Sequence, residues 1–140
     1  MTREFIYNFI KQHELAVLST SSGENHPEAA LIGIAVTEGL EIVFDTVKTS
    51  RKYKNLIQNP LVALVIGWDK EITLQYEGIA TELSSESHHR LKEIYFAAFK
   101  DARDRAETWP DIVHFKIAPK WIRYSNFNQP VLIEELSAPF

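Results

Sequence analysis

The chain has no cysteine. That excludes disulfides, thiol nucleophiles and cysteine metal sites together, and argues against a small secreted fold that depends on staples. No apolar run approaches the roughly 20 residues that cross a bilayer as a helix. The start, Met1-Thr2-Arg3-Glu4-Phe5, lacks the continuous apolar core of a signal peptide. Glycine is scarce, at 5 of 140 residues, and neither kind of glycine-rich nucleotide-binding loop is present. Without a Gly-x-Ser-x-Gly there is no support for a serine hydrolase. The histidines His13, His26, His88, His89 and His114 make no zinc-ligand spacing, so no metal site is expected. Positive charge is not in excess either. A net charge of −4 and a pI near 5.7 argue against a general nucleic-acid binder. These absences leave, as the default expectation, a cytoplasmic protein that binds neither nucleic acid nor membrane.

What is present suits one globular domain over residues 1–140: the chain is 45% hydrophobic and 24% charged. Phe5, Ile6, Phe9 and Ile10 recur at helical spacing behind Thr2 as a cap, which predicts a helix over 3–13. Residues 16–20 read as a strand and 21–25 as a turn. Pro27 to Val36 is nearly all small or apolar, as in a buried strand, and 40–44 is another. A short helix is expected from about Ser50 to Gln58, stopped by Asn59-Pro60. Residues 61–68 and 71–83 form two more strands, the second alternating apolar Ile72, Leu74, Tyr76 with polar Thr73, Gln75, Glu77. Ser84 or Ser85 can cap a further helix carrying Leu91, Ile94, Tyr95, Ala98, Phe99 and Ala102 on one side. Residues 112–117 and 121–124 read as two last strands, separated by Ala118-Pro119-Lys120. The segment 100–105 is expected to be an exposed helical end, and Glu134-Glu135 a solvated tail. Short turns favour antiparallel pairing, and the helices are too few for a doubly wound sheet. The expected fold is mainly β within the α+β class: a closed or nearly closed barrel with flanking helices.

The stretch from Phe44 to Lys52 is the most informative for chemistry. It sets Thr46, Ser50, Arg51 and Lys52 at a strand-to-helix junction. Helix starts present free N–H groups and a positive dipole end, so anions bind there. Arg51 can grip a phosphate through two donors and Lys52 acts as a point charge. The same residues also suit an ordinary solvated helix start, and the junction alone leaves both readings open. No catalytic acid or base can be nominated.

Phe44-x-Thr46, then Ser50-Arg51-Lys52, then Asn59-Pro60-Leu61-Val62-Ala63-Leu64 form an ordered set. Trp68, Gly78-x-Ala80 and the opening Leu18-Ser19-Thr20 with Gly23 and Pro27 extend it. With this set the sequence resembles the pyridoxamine 5′-phosphate oxidase-like family of FMN-binding split barrels over roughly residues 5–125. The resemblance implies a six-stranded, mostly antiparallel split barrel that forms a homodimer with FMN at the interface. It implies that Thr46, Ser50, Arg51 and Lys52 hold the phosphate, and Asp45 is counted among the cofactor-binding residues. Ala30, Leu31, Ile32 and Gly33 would run along the flavin ring, and Thr73 and Gln75 would come from the other subunit. The vitamin oxidase itself has Arg and Lys where this chain has Ala30 and Ala35, and a Trp where it has Ser125. Its Arg/His signature has no counterpart in residues 126–140. The cofactor site is thus retained and the known substrate site is not. The expected function is an FMN-dependent oxidoreductase of unassigned substrate. The alternatives are a non-catalytic flavin-binding or redox-sensing protein, or the same barrel holding a deazaflavin or haem.

Overall fold

The computed structural model describes residues 1–84 and 88–140. The chain opens with α1 (Arg3–Lys11), whose first turn is capped by the Thr2 hydroxyl accepting from the Phe5 N–H at 3.0 Å. Its buried face is Ile6 and Ile10. Then come β1 (Leu15–Ser21), β2 (Pro27–Gly33), β3 (Ala35–Val36) and β4 (Ile42–Val47), followed by α2 (Arg51–Gln58). β5 (Leu61–Ile66) and β6 (Ile72–Glu82) lead to α3 (His89–Ala98) and α4 (Ala102–Thr108), and β7 (Ile112–Asn126) and β8 (Leu132–Ser137) complete the fold. No described helix is long and apolar enough to cross a membrane.

Every strand pairing is antiparallel. The order across the sheet is β2-β1-β5-β6-β7-β4-β3, with β8 on β7. The two outermost strands, β2 and β3, are consecutive in the chain, interrupted only at Ile34. One strand path therefore pairs with β1 at its start and with β4 at its end, which curls the sheet into a split barrel of six strand positions. The expected continuous strand from Pro27 to Val36 is that path, divided where it changes partners. Inside lie Leu18, Leu64, Leu74, Tyr76 and the stacked pair Phe44–Phe115, with ring centroids 5.5 Å apart. The buried Tyr76 hydroxyl donates to the carbonyls of Leu40 and Ile117, because a polar group without a partner there would be costly.

Four local expectations are corrected. Ala118-Pro119-Lys120 does not separate two strands; β7 runs straight through. The irregularity is absorbed opposite it, as a register shift between Glu77 and Gly78, where a Cβ on Gly78 would stand 2.5 Å from the Ala118 carbonyl oxygen. The C-terminal segment is not a solvated tail, since β8 adds to the edge of β7. There Glu135 accepts from Trp121 and Arg123, and Glu134 pairs with the amino terminus of Met1. Third, residues 91–102 do not form one helix: the chain breaks at residues 99–101 and restarts as α4. Of the two serines expected to cap it, Ser85 lies outside the described residues, and His88 stands at the N-cap without a side-chain capping bond. Fourth, residues 100–105 are not simply an exposed end: Ala102 is fully buried and Arg105 reaches inward to Asp45.

Candidate functional site

The junction between β4 and α2 is built from its own hydroxyls. Ser50 is the N-cap of α2, and its Oγ accepts from the Tyr53 N–H at 3.1 Å. The Thr46 Oγ1 lies 2.9 Å from the same oxygen. Only one of these two hydroxyls can donate to the other, so one proton of the pair stays free for a ligand. Arg51 and Lys52 follow in the first turn, where no acidic residue competes with an incoming anion for the helix start.

Arg51 is not free. Its Nε donates to Glu28 Oε1 and its Nη2 pairs with Glu28 Oε2, both at 2.9 Å. Behind it, Asn55 Nδ2 donates to Glu28 Oε1 and to Thr20 Oγ1, each at 3.0 Å. Hydrogen bonding from Arg51, and then from Asn55, holds the Glu28 carboxyl below the usual carboxylate range. Lys52 has no ion pair among the described residues. Thr20, Glu28, Arg51 and Lys52 line a cavity of about 350 Å³ that also takes in Ala29, Ala30 and His26. The cavity thus joins the cations of α2 to the edge strand β2, two segments more than twenty residues apart in sequence.

Along β2 the side chains alternate. Ile32 is buried in the barrel, whereas Leu31 is 58% exposed on the outer face. Gly33 meets Phe99, whose ring would lie 2.9 Å from any Cβ there. Asp45 differs from its neighbour Thr46 because consecutive strand residues face opposite sides. Its carboxylate accepts from the Tyr95 hydroxyl and from Nε and Nη2 of Arg105. It is spent on tying β4 to α3 and α4, and contributes no side-chain donor or acceptor to the α2 cavity. His114, directly across from Asp45 on β7, is buried with Nε2 unpartnered. Burial depresses its pKa.

Thr73 and Gln75 stand on the outer face of β6. Thr73 pairs with Ser125 on β7, and Thr46 pairs with Val113 on the same strand. Those partners are twelve residues apart, roughly 40 Å along an extended strand. The two site halves named from the sequence therefore do not meet within one chain. Gln75 joins a cross-strand row that runs from Leu31 through Val17 and Val65 to Arg123. The Leu31 end of that row is apolar, with Leu61 54% and Val65 39% exposed beside it, and Glu77 and Arg123 make the other end charged. Thr73 Oγ1 is buried yet has no hydrogen-bond partner.

A larger cavity, about 550 Å³, lies between α1, β3 and α3 beside Ala35. Lys11 and Arg90 enter it from the helices, with Glu14 and Glu38 beside them. Reasoning from β2 and β3 alone missed these charges, because only the packing of α1 and α3 brings them to Ala35. No sequence signal links the four. Among the described residues there is no group of three or more potential metal ligands.

Residues 2–126 match the sequence profile of the family described as pyridoxamine 5′-phosphate oxidase. No curated protein matches the chain in sequence. A Listeria innocua structure described as "Putative Pyridoxamine 5'-phosphate oxidase" is 29% identical, with a TM-score of 0.72 over 87% of this chain and 96% of its own. A heme binding protein from Mycobacterium smegmatis superposes with a TM-score of 0.82 at 13% identity. The superposition covers 98% of this chain, which spans 58% of that protein's length. HutZ, the heme storage protein of Vibrio cholerae, gives 0.72 at 16% identity over 84% of this chain and 89% of its own. At such identities the two haem proteins share the fold with this chain.

Proposed function

The chain belongs to the pyridoxamine 5′-phosphate oxidase family, and from that premise we propose that it binds FMN between two copies of itself and works as a flavin-dependent oxidoreductase. The observation that carries the reading is the cavity in which Arg51 and Lys52, at the first turn of α2, face Ala29 and Ala30 of β2. Its donor set fits a phosphate. Lys52 has no ion pair among the described residues, Arg51 keeps guanidinium N–H groups beyond those on Glu28, and the Thr46–Ser50 pair at the adjoining junction, outside the cavity lining, has one hydroxyl proton over. At about 350 Å³ the cavity is at the small end for an organic ligand. It suits the phosphate and its linker, with Ala30 to Gly33 flanking the ring. Thr73 and Gln75 of a second copy, presented on the apolar outer face, complete the site. FMN supplies hydride and electron transfer when bound; the residues here bind it, orient it and keep water from one side.

Titration with FMN and riboflavin, with an absorption spectrum of the purified protein, tests this. FMN should bind at least tenfold more tightly than riboflavin, with flavin bands in the visible. Equal affinities would remove the phosphate site. A second reading, haem, is favoured by the two haem proteins of the same fold and by His26 in the cavity wall. A Soret band in place of flavin bands would establish it, and the bands of a deazaflavin differ from both. Substrate-dependent bleaching of bound FMN separates an enzyme from a flavin carrier or sensor.

A further inference from the structure

The cavity assigned to a phosphate already contains an anion. Glu28 grips Arg51 through both carboxylate oxygens, which is the fork geometry that a phosphate would use. The two partners are not equally fixed. The Glu28 side chain is 19% exposed and the Arg51 side chain 78%. Glu28 is also held from behind by buried Asn55, itself bonded to buried Thr20. The carboxylate is therefore the stationary member and the guanidinium the one that adapts. An arriving anion has two routes. It can share Arg51 and lie close to the Glu28 charge, or it can draw Arg51 away and leave a partly buried carboxylate with Asn55 alone. Either route costs affinity. The donors on Glu28 keep it ionised through neutral pH, so the obstacle is present under ordinary conditions. What remains uncompensated is one lysine and a helix start.

We propose that Glu28 is a specificity-determining residue: it stands in for a phosphate on Arg51 and sets a threshold that free phosphate does not pass. A phosphate monoester whose attached ring is held elsewhere passes it. The proposal rests on the phosphate-site reading above. A free anion offers only its own charge to the cavity, whereas an ester adds the contacts of its ring along β2 and at the interface. The alternative is that the pair serves to tie α2 to β2, or to aim Arg51 at its ligand. Removing the Glu28 charge would then leave anion binding unchanged or weaken it.

Calorimetry with inorganic phosphate on the full chain decides this. Glu28→Gln keeps the size of the side chain and a group that Asn55 can bond. It should bind phosphate at least tenfold more tightly than the wild type. In the same variant, millimolar phosphate should compete with FMN, as it does not in the wild type, while riboflavin affinity stays unchanged. Glu28→Ala, which removes the charge by a different route, should move phosphate binding in the same direction. Thermal melts on both variants exclude a change of fold. Phosphate binding that is unchanged or weaker in the folded variants overturns the proposal. A wild type that takes up no FMN would sink the cofactor reading, and the phosphate titration would still decide the role of Glu28.

Discussion

β4 separates two charged regions that differ in how completely their members are paired. On one face, Asp45 takes the Tyr95 hydroxyl and two nitrogens of Arg105, and little of it reaches solvent. On the other, Thr46 and Ser50 share a hydrogen bond that leaves a proton over, and Arg51, paired with Glu28 but 78% exposed, borders a cavity beside Lys52, which has no ion pair among the described residues. A saturated network holds elements together. An unsaturated one, with donors aimed at open space, has binding capacity left. The lesson extends to the outer sheet face, where the apolar row around Val65 is unsaturated in the hydrophobic sense.

The largest expected effect lies at the proposed interface between two copies. A charge placed on the outer face, as in Val65→Asp with Leu61→Lys, should give a monomer in sedimentation. With Thr73 and Gln75 of the second copy gone, FMN should be lost by a hundredfold or more. A monomer that still binds FMN tightly would refute the shared site. Next comes the unsaturated region itself. Arg51→Ala with Lys52→Ala should weaken FMN at least tenfold, since both cationic contacts to the phosphate are removed, and thermal stability should change little. Asp45→Ala should do the reverse. It leaves Arg105 and the Tyr95 hydroxyl unpartnered and partly buried, and should cost about 2–3 kcal/mol in denaturant unfolding, with FMN affinity held within a factor of two or three. A large loss of FMN from the folded Asp45 variant would show that the two faces are not separable.

The smallest expected effect is on pH. Burial lowers the pKa of His114 below its ordinary value of about 6.5. The folded state therefore prefers the neutral ring. Stability from this group is complete above about pH 6.5 and falls as the pH drops below it, because the unfolded chain takes up the proton first. The fall levels off below the folded-state pKa. Asp45 across the ladder opposes the shift, whereas Lys92 and Arg105 reinforce it. In His114→Phe the loss between pH 7 and 5 should shrink; an identical slope would mean that other groups carry it. Pyridoxamine phosphate turnover is a separate check on the larger cavity. Lys11 and Arg90 bring cations there, but Glu14 and Glu38 are present to match them. No appreciable oxidation is therefore expected in a steady-state assay, and turnover near ~1 s⁻¹ would reverse that.

Much of this was legible in the linear chain. The strand alternation of β6, the cap at Ser50, the stop at Asn59-Pro60 and the ordered motif set pointed to the barrel and to the cluster around Arg51, because periodicity and capping are local properties. β8 was not legible. Leu132-Ile133 and Glu134-Glu135 fall in like pairs instead of alternating, and only the open edge of β7 makes them a strand. Asp45 read as part of the cluster because it is adjacent in sequence, but pleating turns it to the other face.

The sequence by itself determined where α1, α2, β5 and β6 lie and which short segment places cations at a helix start. Those follow from residue spacing and from backbone groups left free at a helix start. The tertiary structure alone decided that Glu28, twenty-three residues before Arg51, shares its cavity. It also decided that Lys11 and Arg90 flank Ala35, and that Thr73 and Thr46, whose partners on β7 are Ser125 and Val113, stand too far apart along that strand to meet in one chain. The reason is physical. Which charges meet depends on how the sheet curls and on where α1, α2 and α3 dock against it, and those choices are made by burying apolar faces that carry no charge themselves.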